Sequence, residues 1–216
     1  MSAGGDGLSG ARRWLRAWSY HLGPGLAYQP AYRHIAAAID LQAGAFLDVG
    51  CGPGWLCVHL AAGKAELDAI GIDTSPPMLA IARRNKGQRL NITFREMDAA
   101  QIVYPAGTFD AAAAVQSAHH WRDPAAVLSE VARVLKVGGR FYLYEADADA
   151  VSVPEGWVVR RAGYPPDALL KASWRRYGMG EAAWESLKQV VRDSPFGGGE
   201  DGRHGFYRRL VLTRRA

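Results

Sequence analysis

The chain has 216 residues, of which 49% are hydrophobic and 22% are charged, and its formal net charge is +5 at pH 7. This length and composition predict one domain of ordinary size with a substantial buried core, and they exclude a largely disordered protein. The charge is uneven, because residues 41–151 carry ten Lys and Arg against twelve Asp and Glu, whereas residues 152–216 carry twelve against seven.

Two helices are predicted before the first strand. They cover residues 11–21 and 30–41, and a Gly-Pro-Gly breaker at 22–25 separates them. Arginines are interleaved with Trp and Leu in the first helix, and no apolar segment of a signal peptide follows them. No stretch approaches the roughly 18–20 continuous apolar residues of a membrane span. We therefore expect a cytoplasmic protein without a membrane span.

The most informative stretch is residues 46–54, which read Phe-Leu-Asp-Val-Gly-Cys-Gly-Pro-Gly. A short apolar run reaches an acid, then a glycine-rich turn, and an apolar stretch at 55–62 can start a helix. Glycine is needed where the chain turns with a positive φ or where a ligand approaches the backbone closely. The pattern predicts a strand, a tight loop and a helix, which together bring backbone N–H groups close to a ligand.

A second buried strand is predicted at residues 69–73, and it ends in Asp73. A carboxylate at this position suits a ribose, because it can accept hydrogen bonds from two neighbouring hydroxyls. Ser75 is then expected as the N-cap of a helix whose first residue is Pro76.

Strands and helices continue to alternate along the rest of the chain. Further strands are predicted at 91–95, 109–115, 140–145 and 206–213. Asp123 is expected to cap a helix that ends at 137–139, and a further helix is expected at 178–192. We predict a loop at 197–199 and no sixth strand before it. The alternation favours an α/β fold with a parallel sheet covered on both faces.

Five segments, taken in order and spacing, resemble the class I S-adenosylmethionine-dependent methyltransferases. They are FLDVGCGPG (46–54), IGIDTSPPMLAIARRN (70–85), REMDA (95–99), TFDAAAAVQSAHHW (108–121) and LSEVARVLKVGGRFYLYE (128–145). The likeness covers about residues 40–146 and is strongest to the small-molecule branch with ubiquinone- and menaquinone-type enzymes. It implies a doubly wound, Rossmann-like sheet of seven strands, with the last strand antiparallel and helices on both faces.

The resemblance also implies which residues bind the cofactor S-adenosyl-L-methionine and its product S-adenosyl-L-homocysteine. They are Asp48, Gly50, Cys51, Gly52, Asp73, Thr74, Met78, Asp98, Ala99, Gln116 and Tyr28. Asp48 and the backbone of 50–52 would hold the amino-acid end, and Asp73 would hold the ribose. Asp98 would accept from the adenine amino group, and Gln116 would border the sulfonium and the acceptor.

Three parts of the chain are expected by the same likeness. Residues 1–41 would form a helical lid segment, 42–146 the cofactor-binding core, and 147–216 the C-terminal part of the same domain, on the acceptor side. Tyr28 and Tyr32 are candidate lid residues, although either can equally serve in packing.

His119 and His120 are the candidate catalytic residues. Methyl transfer is an in-line displacement, so the enzyme must chiefly align the acceptor and exclude water. A general base is needed only when the acceptor is a hydroxyl or a carbon acid of high pKa, and histidine can take a proton near neutral pH. Either histidine can instead be a hydrogen-bonded structural residue.

Several classes of methyltransferase are excluded by what the sequence lacks. No Asp/Asn-Pro-Pro-Tyr/Phe segment follows the predicted strand at 109–115, which argues against amino-methylating DNA enzymes, and no carboxylate cluster of the metal-dependent catechol type occurs. The two cysteines give neither a metal-ligand pattern nor a disulfide framework, so we expect no metal. The aromatic residues of the tail favour a flat apolar acceptor: Trp157, Tyr164, Trp174, Tyr177 and Trp184.

The expected activity is transfer of a methyl group to a small organic acceptor, without a nucleic-acid partner. One alternative is an RNA or protein methyltransferase that uses basic clusters such as Arg160-Arg161 and Arg208-Arg209. Another is a catalytically silent subunit that binds the cofactor. A nicotinamide enzyme is disfavoured, because the loop reads Gly-x-Gly-x-Gly rather than Gly-x-Gly-x-x-Gly. The acceptor, the methylated atom and the oligomeric state stay open.

Overall fold

The computed structural model describes residues 5–20, 26–150, 152, 154–158 and 167–216. The protein is built on a seven-stranded sheet with helices on both faces. The strands are β1 Gly44–Val49, β2 Leu67–Asp73, β3 Ile92–Glu96, β4 Phe109–Val115, β5 Leu135–Ala146, β6 Glu200–His204 and β7 Tyr207–Thr213. The helices are α1 Gly5–Tyr20, α2 Gln29–Ala38, α3 Trp55–Leu60, α4 Pro76–Lys86, α5 Pro124–Val134, α6 Asp167–Tyr177 and α7 Glu181–Asp193.

The strand order in the sheet is β3-β2-β1-β4-β5-β7-β6. β1 to β5 pair in parallel, β7 is antiparallel to β5, and β6 is antiparallel to β7. The predicted doubly wound sheet with an antiparallel last strand is therefore confirmed. The chain moves outward from β1 through β2 to β3 and then returns to the other side of β1, which creates a crevice at the carboxyl ends of β1 and β4.

Two apolar layers cover the two faces of the sheet. Alternate residues of β4 face opposite layers, because side chains along a strand point to opposite faces: Ala111 and Ala113 face one layer, and Ala112 and Ala114 the other. The first layer contains buried residues of α2, α3, α4 and α6, and the second contains those of α5 and α7. No helix in the described ranges is long and apolar enough to cross a membrane.

The predicted end of the fifth helix at 137–139 is wrong. α5 ends at Val134, and β5 begins at Leu135. Gly138, with a φ of 80°, donates its N–H to the carbonyl of Arg214 at 2.9 Å. A Cβ on Gly139 would lie 2.8 Å from the carbonyl oxygen of Lys136. The glycine pair thus serves close packing within the strand region and does not cap a helix.

The expectation that no sixth strand precedes the last one is also wrong. β6 pairs with β7 alone, at the edge of the sheet, and its residues read Glu-Asp-Gly-Arg-His. Such a polar edge strand has no apolar alternation that a sequence pattern could reveal. The predicted breaker at 22–25, the Arg160-Arg161 cluster and Tyr164 lie outside the described residues.

Candidate functional site

The glycine loop after β1 has three glycines in left-handed backbone conformations. Their φ values are 71° at Gly50, 49° at Gly52 and 77° at Gly54. A Cβ on Gly50 would lie 2.5 Å from the Cβ of Ser117, so this glycine is required where the loops after β1 and β4 pack together. A Cβ on Gly52 would meet no atom within 4 Å. The backbone at Gly52 therefore faces open space at the edge of the sheet.

Asp73, at the carboxyl end of β2, connects this loop to the start of α4. Its Oδ2 accepts a hydrogen bond from the Gly52 N–H at 2.8 Å, and its Oδ1 accepts one from the Ser75 N–H at 2.8 Å. Burial raises the pKa of Asp73, and the two backbone hydrogen bonds act in the opposite direction. Ser75 is the N-cap and Pro76 the first residue of α4, as predicted, although the Ser75 side chain makes no capping hydrogen bond.

Asp48 is a buried carboxylate on β1, two residues before Gly50, with 2% of its surface exposed. The thiol of Cys57 on α3 lies 3.5 Å from its Oδ2. Burial is the main reason that the pKa of Asp48 rises to about 7, and the nearby negative charge of Asp73 adds to the effect. Burial likewise raises the pKa of the Cys51 thiol, which argues against a nucleophilic role for this side chain.

The loop after β3 lies beside the end of β2. The Met97 N–H donates to the carbonyl of Asp73 at 3.1 Å. Asp98 follows and is exposed, and its Oδ1 accepts from the Ala100 N–H at 2.9 Å. The neighbouring Ala99 is half-buried, as is Met78 in the first turn of α4, and Thr74 is exposed between β2 and α4.

Gln116 directly follows β4 and has a φ of 52°, which is unusual for a residue other than glycine. Its N–H donates to the carbonyl of Tyr144 at 2.8 Å, and its Nε2 donates to the hydroxyl of Tyr207 at 2.6 Å. The next residue, Ser117, donates its hydroxyl to the carbonyl of Val49 at 2.8 Å. Residues of β1, β5 and β7 thus hold the bend at the end of β4.

His119 and His120 lie on a short 3₁₀ helix, Ala118–His120, beyond this bend. The Nδ1 of His119 is 2.8 Å from the Oε2 of Glu145, whose Oε1 accepts from the Ala118 N–H at 2.6 Å. The two imidazole rings are 4.0 Å apart. His120 lies at the surface, and partial desolvation and His119 lower its pKa, whereas Glu145 and Asp73 act in the opposite direction.

Sequence reasoning missed Glu145 as a site residue and treated it only as the end of a strand. It is fully buried at the carboxyl end of β5. The available signal was an acid that closes the apolar run 141–144, because a charge is rarely buried without a partner.

The aromatic residues of the tail are only partly brought together. Trp174 stacks on Phe206 with ring centroids 4.6 Å apart, and Trp157 makes an edge contact with the same ring at 5.9 Å. Tyr28, which is 3% exposed, packs against Phe206 at 5.8 Å. Trp184 is buried in the opposite layer. Tyr32 is also in the core, so the lid role of both tyrosines stays a prediction.

Four strand-end loops therefore bring most of the predicted site residues to one edge of the sheet. They are the loops after β1, β2, β3 and β4, and β5 contributes Glu145. Among the described residues, no cluster of three or more His, Cys, Asp or Glu side chains could hold a metal ion.

Comparisons with known proteins agree on the class of protein. Residues 47–143 match the family described as a methyltransferase domain. The chain is 35% identical over 114 residues to a demethylmenaquinone methyltransferase of Thermus thermophilus, covering 52% of each chain. It is 31% identical over 112 residues to a ubiquinone biosynthesis O-methyltransferase of Xanthomonas oryzae, covering 51% of this chain and 46% of the relative. The chain thus spans about half the length of the curated relatives it matches.

The fold matches solved structures over most of the chain. One is a crystal structure of a putative S-adenosyl-L-methionine-dependent methyltransferase from Methanococcus maripaludis, with a TM-score of 0.65 and 20% identity. The match covers 88% of this chain and 87% of that one. That protein is described as dependent on S-adenosyl-L-methionine. Residues 47–143 therefore match a methyltransferase domain, and the motif order and sheet topology are similar to those of the class I S-adenosylmethionine-dependent methyltransferases, with quinone methyltransferases among the relatives.

Proposed function

We propose that this chain transfers a methyl group from S-adenosyl-L-methionine to a small phenolic acceptor of the quinol type, with S-adenosyl-L-homocysteine as the second product. The observation that carries the proposal is the carboxylate of Asp73, which joins the glycine loop to the start of α4 at the crevice of the sheet. The demethylmenaquinone and ubiquinone O-methyltransferases among the relatives support a quinol-type acceptor.

The residues at the glycine loop fit the amino-acid end of the cofactor. Open space in front of Gly52 leaves its backbone accessible to a ligand. Asp48 is buried, and its side-chain hydrogen bond is to a thiol rather than to a cation. An ammonium group nearby would favour the ionised carboxylate and so lower its pKa. Asp48 and the backbone of residues 50–52 would therefore hold the methionine end.

The residues after β2 and β3 fit the nucleoside end. A carboxylate offers about four lone-pair sites, so Asp73 retains acceptor capacity for the ribose hydroxyls after its two backbone hydrogen bonds. Thr74 and Met78 would border the ribose and the adenine. The exposed Asp98 would accept from the adenine amino group, and Ala99 would lie along the ring.

Bound S-adenosylmethionine supplies a methyl group that is activated by a sulfonium leaving group. The chain must then hold the acceptor in line with that methyl group and keep water away. The rigid bend at Gln116, secured by Tyr207, would border this position. His119 and His120 lie three and four residues further along the chain. A general base is needed when the substrate that receives the methyl group is a phenol, and either histidine would serve in that role.

An RNA or protein acceptor has less support, because part of the basic tail is engaged in the fold. Arg208 is 5% exposed and pairs with Asp147, Asp149 and Glu181. Arg214 donates to backbone carbonyls of Arg133, at 2.9 Å, and Leu135. These cations are not available to a polyanion without loss of structural contacts.

The test is transfer of a labelled methyl group from S-adenosylmethionine to a panel of quinols and simple phenols, with total RNA and protein as parallel acceptors. We expect the labelled methyl group in at least one phenolic product. The Asp73→Asn variant should not form that product. Label in RNA or protein alone would contradict a small-molecule acceptor. No transfer by a protein that binds the cofactor would favour a silent subunit. The cytoplasmic location and the three-part division of the chain stay predictions.

A further inference from the structure

Glu145 is a buried carboxylate that is not among the proposed cofactor-binding residues. It has no exposed surface, and both of its oxygens point to the 3₁₀ helix that carries the histidines. Oε1 accepts from the Ala118 N–H, and Oε2 faces the Nδ1 of His119. Its cross-strand neighbour Arg208 directs its guanidinium to other carboxylates. One oxygen of Glu145 therefore faces the imidazole of His119, and the other faces the backbone beside it.

This contact decides which nitrogen of His119 carries the hydrogen. When Glu145 is ionised, its carboxylate can only accept hydrogen bonds, so the Nδ1 of His119 is then the donor. In the neutral ring Nε2 is then the acceptor, with its lone pair available. One fifth of the His119 side chain is exposed, and Nε2 makes no hydrogen bond within the described part of the chain. His120 shows no hydrogen bond to a carboxylate there, and its backbone N–H donates to the carbonyl of Ser117 at 3.0 Å.

The segment that carries His119 is packed against the glycine loop. Ser117, two residues earlier, is bonded to the carbonyl of Val49, directly before the glycine loop. Gln116 is anchored on Tyr207. The loop that carries His119 is therefore fixed against both the cofactor loop and the last strand.

We propose that Glu145 is a positioning residue that holds His119 in the Nδ1–H tautomer, so that Nε2 of His119 takes the proton of a phenolic acceptor. The inference rests on the proposed function and names the residue that removes the proton. The acceptor oxygen would form its bond to the methyl carbon as the carbon–sulfur bond breaks and its electron pair goes to sulfur. The phenolic proton moves to Nε2, Glu145 stabilises the resulting imidazolium, and the proton then passes to solvent.

Glu145→Gln separates this role from packing. Because the Ala118 N–H requires an acceptor, the amide oxygen of Gln must face it, and the amide NH₂ must face the Nδ1 of His119. That NH₂ is a donor, so the ring hydrogen of His119 moves to Nε2. The shape of the side chain and both hydrogen bonds are retained, but Nε2 can no longer accept a proton.

The first readout is the tautomer, measured by two-bond ¹H–¹⁵N spectra of protein with labelled histidine, saturated with S-adenosylhomocysteine at a pH where the ring is neutral. His119→Gln assigns the signal. We expect Nδ1–H in the parent and Nε2–H in Glu145→Gln. A parent with Nε2–H overturns the proposal, and this result does not depend on a folded Glu145→Gln variant.

The second readout is kinetic. Glu145→Gln should lower kcat with a phenolic acceptor by about 100- to 10,000-fold, the usual contribution of a general base, while the Kd for S-adenosylhomocysteine stays constant. Asp110→Asn is the matched control. The carboxylate of Asp110 accepts hydrogen bonds from the Ala45 N–H and from Lys136 at the amino ends of the strands, away from the proposed site, so kcat should not change. An active parent with an equally active Glu145→Gln overturns the role of Glu145 alone, whereas an inactive parent overturns the proposed function as well.

Discussion

The carboxylate of Asp73 accepts a hydrogen bond from the backbone N–H of Gly52 at 2.8 Å, which links the carboxyl end of β2 to the loop after β1. The same carboxylate accepts from the Ser75 N–H, so one side chain shapes the glycine loop and begins α4. The residue proposed to bind the ribose therefore also builds the site. Substitution of Asp73 should lower the affinity for the cofactor for two reasons. Hydrogen bonds to the ligand are lost, and the glycine loop is released.

Gly52→Ala should fold but bind the cofactor poorly. The left-handed φ of 49° costs an alanine about 1–2 kcal/mol, and its Cβ would occupy the open space in front of the loop. Gly63→Ala is the matched control, because Gly63 also has a positive φ, of 74°, with no atom within 4 Å of its Cβ, in a surface turn. Urea unfolding should show similar losses, and calorimetry should show weaker S-adenosylhomocysteine binding in Gly52→Ala alone. Equal affinity in both variants would remove the loop from the site.

The stability of the cofactor-free protein should depend on Asp48. Its pKa rises from 3.8 to about 7 on folding, so the folded protein keeps this proton where the unfolded chain has lost it. The contribution of Asp48 to the free energy of unfolding is therefore fully present below about pH 4 and is lost as the pH rises through about 7. The loss is on the order of a few kcal/mol.

Asp48→Asn should abolish this part of the pH dependence. Its free energy of unfolding should fall less than that of the parent between about pH 4 and about pH 7. The variant should nevertheless bind the cofactor more weakly, since the partner of the ammonium is lost. Asp68→Asn, an exposed change on the neighbouring strand, should follow the parent. Parallel curves for the parent and Asp48→Asn would show that Asp48 is ionised throughout.

Tyr207→Phe should separate catalysis from cofactor binding. The change keeps the ring but removes the acceptor of the Gln116 amide, a contact of 2.6 Å that holds a strained backbone bend. Stability should fall by about 1 kcal/mol, and kcat should fall with little change in the Kd for S-adenosylhomocysteine. Tyr177→Phe, on the exposed end of α6, should change neither. Unchanged kcat in Tyr207→Phe would exclude a role for the bend in methyl transfer.

Sequence patterns predicted the strands that are buried on both faces and the loops between them. The apolar runs at β1, β2 and β4 and the helix start at Ser75-Pro76 can be recognised from the local sequence. β6 cannot be recognised in this way, because its side chains are polar and its extended form depends on pairing with β7. The pairing of Glu145 with His119 depends on the adjacency of β4 and β5, which local periodicity does not encode.

The most direct test of the account is a calorimetric titration of the parent and of Asp73→Asn with S-adenosylmethionine, S-adenosylhomocysteine and NAD. We expect binding of both sulfur ligands in the micromolar range, no binding of NAD, and a loss of about 10- to 100-fold in affinity in Asp73→Asn. Binding of NAD, or no binding of either sulfur ligand by the folded parent, would contradict the account.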